Sequence, residues 1–177
     1  MSDALRVIVV LGSCAAAMAS ASAPKQHTVA KTADVRADFD STWSAAIDVF
    51  AEHDWTITNM EKDSGFITTD WMNMSKAEAE RFADCGSGPS ALHTQVRFNV
   101  RVKPESDGAS VTVNTTFRQE RASLTSSPNF FVDCTSRGGI EAMVQSEVAS
   151  GARRAVKRSK KHPPPTPTVD AGVADAT

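Results

Sequence analysis

What this sequence lacks narrows it first. It has no phosphate-binding P-loop, no dinucleotide GxGxxG fingerprint, no His-Glu-x-x-His and no Cys-x-x-Cys. The chemistries that those spacings build are therefore not encoded in any familiar form. Strong charge of one sign is also missing: 19 Lys and Arg stand against 21 Asp and Glu, a net charge of −2. Nothing global points to nucleic acid or to an acidic substrate. No stretch after residue 24 is long and apolar enough to cross a bilayer. Histidine is scarce, and His27, His53, His93 and His162 show no metal-ligand spacing. The expectation is a chain without catalytic residues, metal or cofactor.

Cysteine is scarce too, and its placement is informative. Arg6 and the amino terminus precede the apolar run Val7–Leu11, and small residues follow, the order of an export signal. The alternative is a buried strand made by the same run. Within the segment, Leu11-Gly12-Ser13-Cys14 resembles a bacterial lipobox, which implies lipid attachment to Cys14, cleavage before it and acylation of the new amino terminus. The competing site is ordinary signal peptidase cleavage after Ala19-Ser20-Ala21; cleavage after Ala23 is disfavoured by Pro24. Cysteine arithmetic favours the lipid. Once Cys14 is set aside, Cys85 and Cys134 remain as one pair in a compartment where disulfides persist, the alternative being two buried thiols. Closing that loop would stabilise the fold by up to roughly 4 kcal/mol on the chain-entropy model.

Four regions follow: residues 1–14 as lipoprotein signal, 15–27 as a flexible tether, 28–158 as the folded domain, and 159–177 as a disordered Pro-rich tail. The domain opens with a possible short strand in "HTVAKTADVRAD". Trp43, Ala46, Ile47 and Phe50 then repeat at helical spacing, with Asp40 or Ser41 as cap and Phe39 folding onto Trp43. "WTITNM" and "GFITTDWM" read as a hairpin turning at Asp63-Ser64-Gly65, with Ile67, Thr69 and Trp71 on one side. "TQVRFNVRV" and "ASVTVNTTFR" alternate cleanly around a turn at Pro104 to Gly108, which means an antiparallel sheet with one covered face. A last helix spans about Ile140 to Lys157, with a strongly basic end. The sum is an α+β two-layer sandwich: an antiparallel sheet of about four to five strands packed on two helices, with Cys85 and Cys134 in loops.

Few residues beyond these invite a functional reading. "CGSGPS" at Cys85 lacks a strand-to-helix setting and reads as a flexible loop; a Cys85–His93 thiol–imidazole pair is less supported than the disulfide. Glu52, Glu61, Asp63 and Asp70 read as turn and surface acids, and Trp43, Trp55 and Trp71 as core and rim packing. Two features stand out. The outward face of the long strand pair carries Arg97, Asn99, Arg101, Thr112, Asn114, Thr116 and Arg118, with no acid among them. It is either a solvated face or a docking surface. The basic helix end, Arg153, Arg154, Lys157, Arg158, Lys160 and Lys161, complements the helix dipole or meets anionic headgroups or an acidic partner.

The stretch "FDSTWSAAIDVFAEHDWTITNMEKDSGFITTDW", with Asp63, Gly65 and Phe66 opening the second strand, resembles the start of a helix-grip domain in BamC-type lipoproteins of the outer-membrane barrel-assembly machinery. The outline extends over about residues 36–158, with one such domain where the family has two, an added disulfide and a Pro-rich tail. The resemblance implies a lipid-anchored envelope protein with a protein partner and no nucleic acid. Ala15 after Cys14 resembles the sorting pattern for the outer membrane, its periplasmic face. The alternative function is a periplasmic small-molecule or lipid binder, marked by an unfilled cavity at Trp43, Phe50 and Phe98; an enzyme is the weakest fit.

Overall fold

The computed structural model describes residues 22–88, 90–123 and 127–161. Cys14, the signal and the Pro-rich tail from His162 onward lie outside them.

Among the described residues, eight strands and three helices form in the order β1 (Thr32–Val35), α1 (Phe39–Glu52), β2 (Ile57–Glu61), β3 (Phe66–Thr69), β4 (Met72–Met74), α2 (Lys76–Phe82), β5 (Ala83–Asp84), β6 (Ala91–Glu105), β7 (Gly108–Arg121), β8 (Phe130–Ser136) and α3 (Gly139–Lys161). The expected sheet of four to five strands on two helices is thus corrected to eight strands and three helices, with the α+β layering retained. All strand pairs are antiparallel, in the order β2-β3-β6-β7-β8-β5. The two long central strands each carry two short ones end to end, β3 and β4 along β6, and β1 and β8 along β7.

The long pair forms as its alternation predicts. Val96, Phe98, Val100, Val102, Val111, Val113 and Phe117 are buried on one face. Against them lie α1 and α3, which run antiparallel: His53 at the end of α1 meets Glu147, and Ala45 lies where a Cβ on Gly151 would sit, 3.0 Å away. Phe50, the last residue of the α1 stripe, packs on Phe98 with ring centroids 5.5 Å apart, and Trp55 meets both rings edge-on. Burying such aromatic side chains supplies about 1.5–3 kcal/mol each.

Local chemistry fixes the ends. The α1 cap is Asp38, two residues before the expected one; its carboxylate accepts from the Ser41 amide at 2.8 Å and hydroxyl at 2.9 Å, which holds the acid below its ordinary range. Phe39 is already helical and stacks toward Trp43 at 6.1 Å. Gly65 turns β2 into β3 with φ +68°, and its Cβ would fall 1.9 Å from the Val102 carbonyl oxygen. Only glycine fits that approach.

Two expected loops are regular structure. Cys134 lies on β8, opposite Phe117, and "SKAEAERF" is a short helix. None of the α2 residues is buried. It is specified instead by a capping box, Ser75 to the Glu78 amide and Glu78 to the Ser75 amide.

The segment read as a tether is laid along the domain from Ser22. The Lys25 carbonyl accepts from Thr135, His27 pairs with Asp84, and the Ala30 carbonyl accepts from Gln145.

Candidate functional site

Among the described residues the helices cover one face of the sheet and leave the other without a helix. The register brings the predicted outward residues together in cross-strand pairs: Arg97 with Thr116, Asn99 with Asn114, Arg101 with Thr112. Most of their polar capacity is spent within the face. Asn114 donates to Asn99 at 3.3 Å, Thr112 and Thr32 share a hydroxyl bond of 2.8 Å, and Arg118 donates to Gln95 at 2.8 Å. Arg97 and Arg101 are the exposed cations that remain.

Arg118 has a second use that the sequence did not reveal. Its guanidinium lies 4.0 Å from the Trp71 ring centre and 4.4 Å from that of Phe131. Arg97 lies over Trp71 as well, at 4.7 Å. Trp71 is therefore on the bare face, and not with Ile67 and Thr69 as strand alternation predicts. The cause is one extra residue. Thr68 pairs with Asn99 but Met72 pairs with Val96, so four steps on one strand match three on the other. A slip of one residue reverses every later side chain. Asp70 occupies the break, accepting from the Trp71 amide at 2.7 Å. The result is a stacked strip of Trp71, Arg118 and half-exposed Phe131, with contacts of the cation–π type.

The face is also less one-sided in charge than its two central strands suggest. β8 places Asp133 opposite Arg118, and Glu120 pairs with His93 at 3.0 Å.

At one end of the sheet Cys85 and Cys134 form the expected disulfide, in place of two buried thiols. Ala83 pairs with Ser136 and Asp84 with Thr135, so the two cysteines continue the β5–β8 register and the bond staples it. Buried Arg121 supports the loop beyond, donating to the carbonyls of Cys85 (2.5 Å) and Ser87 (3.1 Å). Asp84 accepts from the Gly86 amide and faces His27 and Arg137, which together hold its carboxyl below the ordinary range.

Trp43, Phe50 and Phe98 are all buried, with Phe50 packed on Phe98. Phe98 also lines an open cleft of about 630 Å3 between α2, β4 and the start of α3, together with Trp55, Met72, Met74, Phe82 and Met143. The described histidines lie apart: His27 meets Asp84, His53 meets Glu147, and His93 meets Glu120 on the neighbouring strand. Among the described residues no three His, Cys, Asp or Glu are grouped to hold a metal ion.

No curated protein matches the chain. A family model does, over residues 22–151, and its span includes the laid-down segment from Ser22 and ends within α3. With well over half its length matched, the chain belongs to the family described as outer membrane protein assembly factor BamC-like N-terminal domain.

Proposed function

We propose that this protein is a non-catalytic interaction module of outer-membrane protein assembly, held at the envelope by lipid on Cys14 and docking a protein partner on its bare sheet face. The observation that carries the docking surface is the stacked Trp71–Arg118–Phe131 strip beside the exposed Arg97 and Arg101. Interfaces draw their energy from rigid, partly desolvated aromatic and arginine anchors, and this strip is pre-ordered before any partner arrives. Family membership supports the envelope assembly role.

The test is made in cells that carry the full chain. Arg97→Glu with Arg101→Glu should leave the protein folded but lower the yield of folded outer-membrane barrels; an unchanged yield removes the bare face from the account. Cys14→Ser should release the protein from membranes, and intact mass should show an acylated chain beginning at Cys14. A chain starting at Ser22 without acyl mass would overturn the anchor.

A second reading, a binder of small apolar ligands, is favoured by the open cleft at Trp55, Met72, Met74, Phe82 and Met143. Saturable quenching of Trp55 by a fatty acid, absent in Met143→Glu, would support that reading over docking.

A further inference from the structure

α3 packs against the core through Ile140, Val144, Val148, Ala149 and Ala152, with Val156 as its last apolar contact. Beyond Ala152 it carries Arg153, Arg154, Lys157, Arg158, Lys160 and Lys161, all exposed. At about 100° per residue these six fall within an arc of about 160°, on the side of the helix away from Ala152 and Val156. The strip is roughly 12 Å long. Among the described residues no carboxylate forms an ion pair with any of the six; Arg153 bonds only the Ser150 hydroxyl, at 3.4 Å.

The helix dipole accounts for only half of this. Its field favours cations in the last turn, where Arg158, Lys160 and Lys161 stand. Arg153, Arg154 and Lys157 lie before it. Spacings of four, as in Arg153–Lys157, Arg154–Arg158 and Lys157–Lys161, set like charges side by side, which destabilises a helix. A chain of net charge −2 thus concentrates uncompensated positive charge on one projecting edge.

We propose that this edge of α3 is a binding site for anionic phospholipid headgroups. The choice of a lipid surface over a protein follows from what the strip lacks. A protein interface draws its affinity from an apolar or aromatic centre. The apolar side chains within this stretch, Ala155 and Val156, lie outside the basic arc, and Val156 packs on the core. A headgroup layer needs no such anchor, because each cation near it contributes roughly a fivefold factor by charge alone. The site is independent of the bare sheet face and of Cys14, which makes it a second contact that orients the domain.

The test uses the full chain carrying Cys14→Ser, so that no acyl group enters the readout, and vesicles of phosphatidylcholine with or without phosphatidylglycerol. Binding to the anionic vesicles should exceed binding to the neutral ones by at least about tenfold and should fall as salt rises toward about 0.5 M. Replacing Lys157, Arg158, Lys160 and Lys161 with Gln should abolish most of that excess with an unchanged unfolding midpoint, since none of the four is buried. Arg97→Gln with Arg101→Gln should leave it intact. Equal binding to both vesicles, retention by the fourfold variant, or an equal loss in the sheet-face variant would each overturn the site. Binding to heparin without binding to anionic vesicles would overturn the lipid assignment. Should the fourfold variant misfold, the salt dependence of the Cys14→Ser chain still decides, because a salt-insensitive interaction contradicts it.

Discussion

The two faces of the sheet are built from the same pair of strands and do opposite things. On the covered face, Val100, Val113 and Phe117 present nothing but hydrocarbon, and two helices close over them. On the bare face, Asn99, Asn114, Thr112 and Arg118 bond to one another, to Thr32 and to Gln95 instead of to a covering layer. A polar face left open to water gains little from such bonds, about 1 kcal/mol each at most. What it gains is order, since side chains bonded and stacked in place need not be immobilised again when a partner docks. On the proposed reading, stability belongs to the first face and recognition to the second.

That contrast can be broken most severely from the covered side. Phe98→Ala should lower unfolding free energy by about 3–5 kcal/mol in a denaturant titration, because the site is enclosed by Phe50 and Trp55 and cannot collapse freely. Next in size is the staple at the end of the sheet. Cys85→Ser with Cys134→Ser should cost about 2–4 kcal/mol, with a matching drop of the intact protein on addition of a reductant. Smaller again is Asp38→Ala at the α1 cap, about 1 kcal/mol. Asp38 and Asp84 also set a pH dependence. Both acids are held below their unfolded values, so the stability they contribute is fully present above about pH 4 and is lost as pH falls through their folded values. Asp84→Asn should flatten that acid limb in unfolding measurements across pH 2–5. The smallest change is expected on the bare face, where Arg97→Gln with Arg101→Gln should shift stability by less than about 0.5 kcal/mol. A large loss there would erase the distinction between the faces.

The parts of the fold that were legible in the sequence are those whose pattern arises from burial. The alternation from Val96 to Val102 and from Val111 to Phe117, and the Trp43–Phe50 stripe, mark the covered face directly. What stayed hidden has other physical causes. α2 only half-buries Ala79 and Phe82, so no apolar period announces it, although Ser75 and Glu78 spell out its capping box. β4 and β5 are too short to alternate. β8 exposes Phe130, Phe131 and Asp133 and half-buries the rest, so its pattern resembles a loop. The bare-face site was half visible. Its seven polar residues follow from strand parity, but Trp71 was assigned to the wrong side because parity holds only until a bulge, and the extra residue is not marked by Gly or Pro. Phe131 was missed with its strand.

The most direct measurement places a photo-crosslinking amino acid at Thr116, in the middle of the bare face, or at Ser44, exposed on the helix layer, in the full chain in cells. The account predicts a discrete adduct with an envelope protein from Thr116 that disappears when Arg97 and Arg101 are replaced by Glu, and none from Ser44. An adduct from Ser44 alone, or the same adduct from both positions, would contradict it.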